Sequence, residues 1–213
     1  MIKTKTHILK ASGKLQPFIG IIRQSVDEVL DEISGKLTLP QIDIVVADNP
    51  KDTISEIGIC GNVYTPHFVL INIDPEFSQI NNILSKEIKS TLAHELHHCV
   101  RIQGVGYGKT LFEAMVSEGL ADHFDSEITG AKPRPWSIAL DNKQANRLMK
   151  LAEKEFFASD YNYNDWFFGS EKRQIPKWTA YTLGFNIVRD YIGKTGETAS
   201  ALVNTKAERF YIT

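Results

Sequence analysis

Two cysteines in 213 residues, Cys60 and Cys99, are too few for a disulfide framework and too few for a zinc site built from thiolates. They read as reduced thiols of a cytosolic protein. No run of about 18 apolar residues occurs, so no segment reads as membrane-spanning. The first ten residues carry charge without an apolar stretch of roughly 7–15 residues behind it, which argues against a signal peptide. An excess of either charge is missing too. Lys and Arg number 24 and Asp and Glu 26, for a net charge of −2, so neither nucleic acid nor an anionic membrane is an expected partner. Repeats, low-complexity tracts and Gly/Ser- or Pro-rich linkers are absent. What remains, 42% hydrophobic and 23% charged, is enough to bury a core without staples. The expectation is a single cytoplasmic domain over residues 1–213.

Periodicity predicts the elements. Phe18, Ile22, Val26, Val29, Leu30 and Ile33 recur at helical spacing over residues 17–33, with Pro17 suited to the first turn and Ser34-Gly35 to the end. Strands are predicted over 41–47, 57–64 (interrupted by Gly58 and Gly61) and 68–73. A helix follows over 85–101, broken by Gly104, Gly106 and Gly108. Thr110 and Glu113 form a capping box that opens another helix, to about residue 127. Residues 132–135 read as loop, 141–157 as helix, 160–169 as an aromatic, Asn-rich loop, 178–191 as helix, and 197–207 as a further helix. Helix, strands, then helices is an α+β pattern. Its parts are a helix with strands over about 17–75, two helices over about 85–127, and a helical part over about 137–213.

Chemistry concentrates at His94-Glu95-Leu96-His97-His98. Four residues apart on a helix, His94 and His98 lie one turn apart on one face, so both imidazoles reach a common ion. Glu95 sits about 100° round from His94, where a carboxylate can take a proton from a metal-bound water. Apolar Ile88, Leu92, Leu96 and Cys99 surround the motif, and strands precede it.

Two histidines are not enough, because a catalytic zinc takes three protein ligands and a water. Ser117-Glu118-Gly119-Leu120-Ala121-Asp122 supplies the third, Glu118, on a helix reached through the glycine turn. Gly119 suits a close helix crossing. Asp122, one turn beyond Glu118, is placed to accept the remaining N–H of a ligating histidine, assigned to His94. Rival ligands fare worse. His97 is offset by about −60° from His94, Glu113 serves the cap, and His123 points about 140° away from Glu118.

These two motifs, followed by Tyr181-Thr182-Leu183-Gly184, resemble those of the gluzincin metallopeptidases. More narrowly, they are similar to the predicted Zn-dependent proteases typified by the bacterial YjaZ proteins. The resemblance covers roughly residues 42–188. It implies a zincin-like fold, one Zn2+ per chain, and hydrolysis of a peptide or protein substrate by activated water.

An acyl-transfer site also needs a donor for the oxyanion. Tyr181 is the candidate, at the position where the resemblance places a Tyr-x-x-Gly. Its other reading is a core tyrosine beside Phe185 and Val188. Tyr107, on the glycine-rich loop, is a weaker rival for the role, on a segment expected to be mobile. The strand carrying Gly58, Cys60 and Gly61 has two readings, a sheet edge along which an extended peptide pairs, and a short or bulged edge strand. Cys60 and Cys99 are assigned to packing rather than to the metal. Tyr161, Tyr163, Trp166, Phe167 and Phe168 read as core beneath a long loop, or else as a cover over the site. The expected activity is a zinc metallopeptidase with Glu95 as general base. Its alternative is a zincin-fold peptide binder with little turnover, which would have no use for Glu95.

Overall fold

The computed structural model describes residues 4–211. Ahead of the predicted first helix lies a strand that the periodicity does not announce, β1 (Lys5–Ile8), in which Ile8 is the only apolar residue. Helix α1 (Ile19–Ser34) follows a turn of 3-10 helix at Gln16–Phe18, where Pro17 sits as expected. Ile22, Val26, Val29 and Ile33, at intervals of four and three, have no solvent exposure and form its inner face.

Strand β2 (Asp43–Asp48), β3 (Ile59–Thr65) and β4 (Phe68–Ile73) complete a mixed sheet in the order β1-β2-β4-β3. β1 and β4 flank β2 in parallel, and β3 runs antiparallel to β4 at the sheet edge, with an irregularity between Val63 and Thr65. Two strands joined through α1 and paired in parallel make a βαβ unit at the start of the fold. β3 begins at Ile59 rather than at residue 57 because Gly58 turns with φ +66, and a Cβ there would strike the Phe77 ring.

The remaining helices are α2 (Ile80–Gly104), α3 (Leu111–Thr129), α4 (Asn142–Ala152), the short α5 (Tyr163–Phe167) and α6 (Thr179–Thr195). The architecture is α+β, with six α-helices and one four-stranded sheet among the described residues. No helix among them is long and apolar enough to cross a membrane. The chain divides into two compact units at Gln103/Gly104, with Ile128–Gly130 counted in the first. The first holds the sheet, α1 and nearly all of α2. Its core is built from the α1 face with Ile44, Val46, Val69, Ile71, Ile73, Ile88 and Leu92.

The second unit is helical. Every residue of α3 from Ala114 to Asp122 is buried, so this helix is a central one and not an amphipathic surface element. Its capping box forms as the sequence predicts. The Glu113 backbone donates to Thr110 Oγ1 at 3.3 Å and the Thr110 backbone to Glu113 Oε2 at 2.9 Å. Gly119 is the point of close approach to α6. A Cβ on Gly119 would collide with the carbonyl of Gly184, and a Cβ on Gly184 with that of Met115.

Three predicted elements are corrected. The helix expected over 141–157 opens on Asp141, with Gln144 closing a capping box, but ends at Ala152. Beyond it the Phe156 carbonyl accepts the Phe112 N–H, and Glu155 accepts Trp166 Nε1–H and Arg173, so tertiary partners unwind the end. The loop over 160–169 contains α5, capped by Asn162 accepting from the Asp165 N–H. In place of the helix at 197–207 the chain makes turns, followed by a 3-10 turn at Ala207–Phe210.

Candidate metal centre

The candidate ligands stand on two separate elements, α2 and α3. On α2, the i, i+4 spacing brings the His94 and His98 rings into an edge-on arrangement with Nε2 atoms 3.1 Å apart. Two nitrogens bound tetrahedrally at 2.0–2.1 Å would lie about 3.3 Å apart, so the pair already has close to the spacing a zinc ion requires. His98 is buried and His94 half-buried. His97, with no exposure, lies in the interior.

Glu95 is buried at the same turn. The β3 backbone at Gly61 lies against it, and a Cβ there would come within 2.6 Å of Glu95 Oε1 and 2.7 Å of the Thr91 methyl. Only glycine lets the edge strand run this close to the carboxylate. Neighbouring Cys60 is half-buried and unoxidised, as is fully buried Cys99. Burial first, and then the charge of Glu95, pushes the Cys60 thiol up to about 11 and the Cys99 thiol up to about 12, with His94 opposing at Cys60. Neither is a thiolate at neutral pH.

On α3, Glu118 and Asp122 are buried charges in an apolar helix, and each is met by polar partners from its own unit. Tyr107 Oη donates to Glu118 Oε1 at 2.7 Å. Ser117 Oγ donates to the Tyr107 carbonyl. The glycine loop expected to be mobile is therefore held at Tyr107 by two consecutive residues of α3, and Glu113 adds a bond to the Lys109 N–H. Asp122 accepts Trp136 Nε1–H at 3.1 Å and Ser137 Oγ–H at 2.7 Å. The segment after α3 that carries Trp136 and Ser137 is pinned from α6 as well, where Thr182 Oγ1 donates to the Trp136 carbonyl.

Tyr181 stands in the first turn of α6, its ring 4.9 Å from that of Phe167 and 6.5 Å from that of Trp136. Tyr163 stacks on the same Phe167 at 4.2 Å, and its hydroxyl lies 3.4 Å from that of Tyr107. Burial raises all three phenols above their ordinary value, and the Glu118 charge raises them further. In the aromatic segment Trp166 and Phe167 are buried core, and Phe168 is exposed. His123 turns away to stack on Phe185 at 4.0 Å and to bond its carbonyl.

The Tyr107 contact to Glu118, the Tyr163 contact to Tyr107 and the Trp136-Ser137 support of Asp122 are absent from the sequence reading. Tyr107 and Glu118 are eleven residues apart across a loop, a separation with no periodic signature. Among models of protein families, the one described as "Predicted Zn-dependent protease" matches residues 22–211. No curated protein and no solved structure matches.

Proposed function

This chain belongs to the family of predicted Zn-dependent proteases, and from that premise we propose that it is a cytoplasmic zinc metallopeptidase of the gluzincin type, with a zincin-like fold over the whole chain. His94, His98 and Glu118 are the proposed ligands of one zinc ion. The observation that carries this reading is the imidazole pair on α2, with the His94 and His98 Nε2 atoms 3.1 Å apart and Glu95 buried at the same turn. One carboxylate and two imidazoles with a water is a ligand set of catalytic zinc. Bound there, zinc lowers the pKa of its water and polarises the scissile carbonyl.

The remaining chemistry falls to side chains. Glu95 takes the proton of the attacking water and returns it to the leaving amine. Asp122 orients His94 by accepting its non-ligating N–H, fixing the tautomer. Tyr181 donates to the oxyanion. The substrate is a peptide or protein, laid as an added strand along the edge of β3, where Gly61 keeps the backbone close to Glu95.

Metal analysis with a peptide-library cleavage assay tests this. The parent is expected to hold about one zinc and to cleave. Glu118→Ala is expected to lose the metal. Glu95→Gln is expected to keep the zinc and lose activity by several orders of magnitude. Loss of zinc from Glu95→Gln would make Glu95 a ligand and overturn the mechanism.

A further inference from the structure

We propose that Tyr107 is a positioning residue for Glu118, its hydroxyl holding one carboxylate oxygen so that the other is presented to the metal. This rests on the zinc reading above, and it concerns how the third ligand is held.

Protons order the array. A phenol has one hydrogen to give. That of Tyr107 goes to Glu118 Oε1 at 2.7 Å, so in the 3.4 Å contact between Tyr107 and Tyr163 the donor is Tyr163. The sequence Tyr163 to Tyr107 to Glu118 is a directed chain ending on a buried negative charge, and each donor polarises the next.

Tyr107 is itself fixed. Its carbonyl is held by Ser117 and its hydroxyl meets Glu118, so both ends are tied to adjacent residues of α3. Tyr163 is stacked on buried Phe167 at 4.2 Å. A carboxylate can bind zinc through one oxygen or two. A charge-assisted bond to one oxygen fixes the rotation of the group and favours the single-oxygen mode.

Zinc affinity by chelator competition, with the visible absorption of the Co2+-loaded protein, tests the proposal on the parent, His98→Ala, Tyr107→Phe, Tyr163→Phe and Ser117→Ala. The parent is expected to bind one zinc and His98→Ala to lose it. Tyr107→Phe should weaken zinc about 10–100-fold, and its cobalt bands should lose intensity as the second oxygen joins the metal. Tyr163→Phe should show a smaller loss, since Tyr107 is intact. Parent affinity and a parent cobalt spectrum in Tyr107→Phe overturn the proposal while leaving the zinc reading standing. A parent that binds no zinc overturns both, and is seen before any variant is compared. Should Tyr107→Phe fail to fold, the other two decide: weakened zinc in Ser117→Ala supports the proposal, and parent affinity in both it and Tyr163→Phe overturns it.

Discussion

Asp122 combines two demands in one side chain. Its carboxylate accepts from Trp136 and Ser137, which fastens the segment after α3, and it is also the proposed support of His94. Replacement by Asn keeps the shape but removes the charge and turns one acceptor into a donor. Asp122→Asn is therefore expected to weaken zinc about 10–100-fold and also to lower the melting temperature of the zinc-free chain. Ser137→Ala separates the two effects, because it removes one anchor of the segment and leaves the carboxylate. It should lower the melting temperature and leave zinc affinity as in the parent. If Asp122→Asn keeps parent affinity, its role is confined to the Trp136-Ser137 segment.

Helix α3 lies against α6 only because both helices lack a side chain at the crossing. Gly119 meets the Gly184 carbonyl, and Gly184 meets the Met115 carbonyl. Backbone cannot yield as a flexible side chain can, so a methyl at either position drives the helices apart. Gly119→Ala and Gly184→Ala are each expected to lower stability by about 1–3 kcal/mol, even though alanine is the better helix former by up to about 1 kcal/mol. Midpoints of urea denaturation measure this, and a midpoint unchanged or raised in both variants would refute the crossing. Glu118 precedes Gly119 directly, so the same displacement should also weaken zinc binding.

The molecule as a whole should be more stable with metal than without. Zinc at a thousand times its dissociation constant adds about 4 kcal/mol if only the native chain binds it. For a chain of this size that corresponds to roughly 8–16 °C in melting temperature. Chelation should remove the gain from the parent and from Glu95→Gln alike, whereas Glu118→Ala should show little to remove. A melting temperature indifferent to chelation, in a chain shown to carry one zinc, would mean that the ion is held as well by the unfolded state as by the native one.

Local rules decided a large part of this protein. The His94/His98 pair follows from the helical repeat alone, as does the Thr110–Glu113 cap, because both depend on residues within one turn. β4 runs over the predicted residues, its near-continuous apolar run being a strand signal that needs no partner to be read. The α+β pattern follows from the order of such segments. What needed tertiary structure is what pairs across distance. β1 is a strand because β2 lies beside it, not because Lys5-Thr6-His7-Ile8 favours one. The 141–157 helix stops short because Phe112, Trp166 and Arg173 claim its last residues. The sequence placed a small residue at 119 and expected a close helix crossing, but Gly184 as its partner emerged only on packing. Tyr163 read as core or cover, and Tyr107 as part of a mobile loop. Hydrogen-bond partners eleven, fourteen and fifty-six residues apart, Tyr107 with Glu118, Trp136 with Asp122 and Tyr163 with Tyr107, leave no periodic trace, because the geometry that joins them exists only once the helices have packed.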